Sequence, residues 1–156
     1  MLVSDTDMTD AELVRWLIIG AAGGVVLSLI AFLLSRFVND VVGRTVLATV
    51  LFAAAGAYFG FAVVAPVSPI WWLIELLQCV AFGTLGLFGW RGSAKWLLVG
   101  WALHPVWDFV MHYIGPGRNI GPGFYSIACL TFDWAVAAYI LIRYRGASAL
   151  TQNRAR

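Results

Sequence analysis

Eighteen consecutive residues from Leu17 to Leu34 carry no charge, and four further predominantly apolar stretches follow at Val46 to Ala65, Ile70 to Trp90, Trp96 to Ile114 and Phe124 to Ile142. At about 1.5 Å rise per residue each is long enough, as a helix, to cross a hydrocarbon core of about 30 Å. Little of the 156-residue chain is left over for a soluble domain. Its composition agrees, with 62% hydrophobic and only 12% charged residues, against roughly 45–50% apolar residues in soluble domains. The expectation is an all-α polytopic membrane protein: five transmembrane helices in an antiparallel bundle, forming a single domain over residues 1–156. The spans are expected at about 13–37, 44–65, 70–90, 94–114 and 124–143, followed by a basic cytoplasmic tail at 144–156.

The connections are short: SRFVNDVVGR, PVSP, RGSAK and GPGRNIGPG. Each reads as a turn between antiparallel neighbours, since Pro and Gly stop helices and the polar residues meet water. Arg36, Arg44, Arg91, Lys95, Arg143, Arg145, Arg154 and Arg156 fall on one side of such a topology, and Arg15 and Arg118 on the other. The positive-inside rule makes the first side cytoplasmic, so the N-terminus is expected outside and the C-terminus inside the cell membrane. Trp16, Trp71 and Trp72 near the outer boundary and Trp90 and Trp96 near the inner one agree with that placement. The N-terminus is acidic where a cleavable signal would be basic, so the first span is expected to remain as an anchor. Thr9 and Glu12 spell a capping box at its start.

A net charge of +2 gives no reason to expect nucleic acid or a soluble acidic partner. Membrane lipids are the expected partners. Gly20 and Gly24, and Gly56 and Gly60, form GxxxG pairs that suit close packing within the bundle and would also allow a homo-oligomer. Cys79 and Cys129 both fall inside spans, where inert buried thiols are the plain expectation.

The fourth span contains WALHPVWDFVMHYIG, with His104, Asp108 and His112 four residues apart. Residues at that spacing are offset by about 40° on an α-helix and share one face. A charged residue at mid-membrane costs roughly 2.5–3.5 kcal/mol even on lenient scales, so such groups turn inward and find partners. Glu75 and Gln78 on the third span and Asp133 on the fifth are the candidates. Counting from the outer ends puts His112 about 3 Å deep, Glu75 about 8 Å, Asp108 about 9 Å, and His104, Asp133, Gln78 and Cys79 at about 12–15 Å. Three helices thus converge on one polar region in the outer half of the membrane.

Imidazole and carboxylate are ligands that zinc, manganese and iron share. The candidate metal ligands are His104, Asp108, His112 and Glu75, and the candidate catalytic groups are Glu75, Asp108 and Asp133. His104 and His112 stand about 12 Å apart along the axis, whereas metal–ligand bonds are about 2 Å, so one ion does not reach both on a regular helix. The version favoured here uses Asp108, Glu75 and one histidine, with Asp133 orienting a ring nitrogen. Pro105 is expected to bend the helix at the start of the row and to free the Trp101 carbonyl. Two other readings stay open: a proton or ion path through the same residues, and a polar cluster that only fixes helix packing.

With HPVWDFVMH and the downstream YSIACLTFD on neighbouring spans, the chain resembles a family of small bacterial integral-membrane proteins labelled domain of unknown function 6010. The likeness covers Ile70 to Ile142 and implies a multi-pass fold and no particular activity. A more distant likeness is to membrane hydrolases of the alkaline ceramidase and progestin-receptor type, which hold zinc with histidines beside an acid. Those have seven spans and another ligand distribution, and no residue role carries over. As an enzyme, the chain would perform metal-assisted chemistry, lipid-modifying or hydrolytic, on a membrane-embedded lipid or isoprenoid.

Overall fold

A computed structural model describes residues 8–153, with side chains over 8–144. The described residues are helical apart from short turns, and none is in a strand. The first helix starts where Thr9 and Glu12 reciprocate: the Thr9 N–H donates to Glu12 Oε2 at 2.9 Å, and the Glu12 N–H donates to Thr9 Oγ1 at 3.3 Å. The bond from the Thr9 backbone holds this exposed carboxyl below its ordinary range. From there α1 runs Asp10–Phe37, α2 Asp40–Val64 behind an Asn39 cap, and α3 Pro69–Arg91 with proline in its first turn.

Next come α4, Ala94–Trp107, and α5, Gly123–Asn153. The helix of α5 continues into the basic stretch at 144–156, of which residues 154–156 lie outside the described residues. Four helices, α1, α2, α3 and α5, are long and apolar enough to cross a membrane. The remaining helical run is a composite. Pro105 is accommodated inside α4 instead of ending it, and after 14 residues the helix widens into a six-residue π-helical segment, Asp108–Tyr113. Proline offers no N–H to the Trp101 carbonyl, and at the end of α4 the Asp108 N–H is shared between the His104 and Pro105 carbonyls.

Each helix packs on the next in the chain, and α5 returns to α1, closing a ring of five in which α2 also reaches α4. The α1–α5 contact depends on small residues. A Cβ on Gly20 would run into the Ala128 carbonyl, and one on Gly24 into the Phe132 carbonyl. The Thr131 hydroxyl also donates to the Leu17 carbonyl at 2.7 Å. The second GxxxG pair is looser: a Cβ at Gly56 would meet only Cys79 Sγ at 3.7 Å, and one at Gly60 would meet nothing within 4 Å.

Two apolar layers result. At the end of the bundle holding the α1–α2 turn, Leu27, Ala31, Leu47, Leu51, Leu97, Trp101, Val136 and Ile140 form a buried core. There Asp40 also accepts from Arg44 at 2.9 Å and from the Tyr144 hydroxyl at 2.8 Å, tying α2 to α5. At the other end Tyr58 and Ala62 pack with Ile120, whose loop folds back over the bundle, and with Phe61, Trp71 and Tyr125. The ionisable residues lie between the layers.

The glycine contacts predict unequal effects. Gly24→Val is expected to cost at least about 1–3 kcal/mol through overpacking, while Gly60→Val leaves stability unchanged. Thermal unfolding of the two variants in detergent measures the difference, and equal Tm values would contradict the packing described.

Candidate metal centre

Glu75, His104, Asp108, His112 and Asp133 are all buried, none more than 1% exposed. The π segment divides them. On an α-helix a spacing of four overshoots one turn, whereas i→i+5 bonding puts more residues in each turn, so the same spacing falls short of it. His104, on the α side of the change, faces α5, and His112, on the π side, faces α3. The row therefore splits into two groups.

The first group is His104, Asp108 and Asp133, each able to offer one ligand atom so that all three atoms lie within 4.8 Å of one another. His104 Nδ1 is 2.7 Å from Asp133 Oδ2 and 3.7 Å from Asp108 Oδ2. Those separations bracket the roughly 3.3 Å between ligand atoms that bonds of about 2.0–2.1 Å to a tetrahedral ion require. In the metal-free protein Nδ1 is engaged with Asp133 Oδ2, and an ion held through Nδ1 would take the place of the proton between them; Nε2 of His104, Oδ1 of Asp133 and the two oxygens of Asp108 have no hydrogen-bond partner. The Phe82 ring stands edge-on to His104 at 5.0 Å and Cys129 faces Asp108, so the surroundings are dry.

The second group is the pair His112 and Glu75. His112 Nε2 is 3.5 Å from Glu75 Oε2, at ion-pair distance without a formed hydrogen bond. Nδ1 of the same ring donates to the Gly117 carbonyl at 3.3 Å, and the ring is stacked on Tyr58 with centroids 3.6 Å apart. Tyr58 is itself held by a 2.6 Å bond between its hydroxyl and that of Ser126. Gly117 fits because a Cβ there would crowd His112 Nδ1 at 2.8 Å.

Of the residues singled out in the sequence, Asp108 and His104 thus meet Asp133, while Glu75 meets His112 and stands outside the three-ligand group. Asp133 does bond a histidine ring nitrogen, that of His104. Gln78 serves elsewhere, donating to the Ala55 carbonyl on α2 at 2.5 Å. Cys79 and Cys129 are buried free thiols. Tyr58, Ser126, Gly117 and Ile120 carry the surroundings of His112 without any spacing signal, since their contacts join α2, α5 and a loop that are distant in sequence.

An arrangement of one imidazole and two carboxylates, closely spaced and incompletely bonded, fits a divalent ion of the zinc, manganese or iron class. Without an ion its members differ in what they contribute. In chelator-treated protein, Asp133→Ala is expected to lower stability by about 1–3 kcal/mol because it strips the partner from His104. Asp108→Ala is expected to hold or raise stability, since it removes a buried group with no hydrogen-bond partner. Thermal unfolding with chelator present checks both, and a large loss in Asp108→Ala would mark that residue as a packing element.

A family model, described as a family of unknown function (DUF6010), matches residues 19–148. No curated protein and no solved structure matches the chain.

Proposed function

We infer that this chain, which belongs to the family of unknown function DUF6010, holds a divalent metal ion inside the membrane and uses it on a membrane-embedded lipid. The observation that carries the reading is the triad of His104, Asp108 and Asp133, fully buried, with ligand atoms within 4.8 Å and lone pairs left unpartnered. When bound, the ion would act as a Lewis acid and make a water acidic enough to give hydroxide near neutral pH. His104, Asp108 and Asp133 would hold it. Glu75, with both oxygens unpartnered beside His112, would take up and return a proton in this reading.

A through-path for ions has less support. Leu47, Leu51, Leu97 and Trp101, none of them exposed, fill the inner half where such a path would need polar groups. A packing role alone accounts poorly for Asp108, a fully buried carboxyl whose ion-pair contact to His104 is as long as 3.7 Å.

The same reading takes α4 with its π continuation as a fifth span. The 20 residues from Ala94 to Tyr113 cover close to 30 Å. It also puts the N-terminus and the Gly115–Gly123 loop outside and the C-terminus in the cytoplasm of a bacterial inner membrane.

Metal analysis of protein purified in detergent without chelator is expected to find about one equivalent of zinc, manganese or iron per chain. His104→Ala, Asp108→Ala and Asp133→Ala should lose it, and Glu75→Gln and His112→Ala should retain it. Metal-free wild type, or loss in Glu75→Gln but not Asp133→Ala, would overturn the assignment. For the topology, alkaline phosphatase inserted at Gly117 is expected to be active and the same enzyme fused after Arg156 inactive; the reverse pattern would invert the orientation.

A further inference from the structure

Among the described residues the backbones of α2 and α5 do not meet, although both pack on α1. Near the loop-covered end the gap between them is bridged by the Tyr58–Ser126 bond. Below that bridge lies a groove of about 460 Å³ walled by all three helices, with Gly20 and Gly23 from α1, Ala53 and Ala54 from α2, and Cys129 and Asp133 from α5 among its lining. It opens sideways between α1 and α2. Those two helices are close near their shared turn, where Gly43 lies against Ala31 and Ser35, whereas Ile19 and Ala53 higher up are exposed.

We propose that this groove is a binding site for one unbranched acyl chain of a membrane lipid, entering from the leaflet at the Trp16–Phe124 end. Depth identifies the kind of occupant. Trp16 is stacked on Phe124 with centroids 4.4 Å apart, which puts those two residues at one level. Counted from Phe124 along α5, the groove runs from about 2 Å at Tyr125 to about 14 Å at Asp133. Counted from Trp16 along α1, Ile19 and Gly23 lie about 5 and 10 Å down, within the same interval. Indole rings mark the interface, so the whole groove lies in the hydrocarbon layer, where lipid chains are the available solute.

Shape narrows the choice further. At roughly 30 Å³ for a group of methylene or water size, the groove takes about fifteen such groups, the equivalent of one chain. Gly20, Gly23, Ala53, Ala54 and Ala128 supply much of its lining, and side chains this short suit one slender chain of methylenes. Asp133 belongs to its lining, and the Asp133 carboxylate is a member of the metal triad on the other side. A chain in the groove therefore lies against the wall of the candidate centre. What the chain is there for rests on the metal reading; its binding does not.

The experiment uses full-length protein in phospholipid vesicles containing a trace of a phosphatidylcholine with a mid-chain diazirine on one acyl group. Illumination and peptide mapping are expected to place crosslinks chiefly on segments 19–23, 50–54 and 125–133. Ala54→Trp and, as a second filling variant, Ala53→Phe should cut that labelling at least fivefold. Val80→Trp, at a lipid-facing position of α3, should leave it unchanged. Thermal unfolding shows that the variants are folded, and their metal content is measured in parallel. Crosslinks spread evenly over the lipid-facing helices, labelling indifferent to both filling variants, or stronger labelling by a diazirine polyprenol would each overturn the proposal. Metal-free protein that still labels in the groove would refute the metal reading alone, and metal-loaded protein without groove labelling would refute the chain site alone.

Discussion

The 2.7 Å bond between His104 and Asp133 is the contact on which the polar half of the bundle turns. It joins α4 to α5 through two side chains with no exposed surface, and it settles which way the imidazole faces. Once Nδ1 is engaged, Asp108, one turn further along, is drawn to the same point, 3.7 Å from that nitrogen. The widening of the helix at Asp108 then sends His112 toward Glu75 instead of continuing the stripe. One hydrogen bond and one irregular turn convert a linear row into two separate sites.

Those sites are kept apart from both aqueous phases by different means. On one side the seal is the aliphatic core around Leu51, Leu97 and Trp101. On the other it is aromatic, with Tyr58 stacked on His112 and Ile120 drawn in from the loop. In surroundings of low polarity each electrostatic contact is stronger than in water, and each unpaired group correspondingly more costly. The lateral groove beside Asp133 is a break in this enclosure that touches the triad, and it is walled by α1, α2 and α5.

Much of the helical architecture was legible from length and hydropathy, because hydrocarbon leaves a chain of this composition little choice but helices. The identity of the polar residues was equally legible, since an acid or histidine inside a span stands out against leucine and valine. How they would pair was not. The set of Asp108, Glu75 and one histidine rested on depth counting and on the four-residue spacing, and neither shows the π segment beyond which His112 faces Glu75. Sequence marks Pro105 as a disturbance, but the widening three residues later, closed by the Ile114 N–H on the Phe109 carbonyl, has no residue-type signal. Gly20 and Gly24 were recognisable as packing residues, while the looseness at Gly60 follows from the helices around it and has no local signature.

Energetics separates the remaining alternatives more sharply than geometry does. Burying several ionisable side chains in hydrocarbon costs about 2.5–3.5 kcal/mol apiece on insertion scales, whereas a hydrogen bond between membrane helices returns about 0.6 kcal/mol on average. Helix association is already served by the α1–α5 glycine contacts and the aliphatic core. The cluster is therefore a burden on stability as it stands, and charge counting indicates what would lift it. Glu75 has a potential counter-charge in His112 at 3.5 Å. Among the described residues Asp108 and Asp133 share His104 as their ion-pair partner within 4 Å, so with both carboxyls ionised one negative charge is left over at that contact even when the ring is protonated. A divalent cation held by neutral His104 and both carboxylates would bring the group to neutrality and would employ the oxygens of Asp108 and Oδ1 of Asp133, which have no hydrogen-bond partner among the described residues.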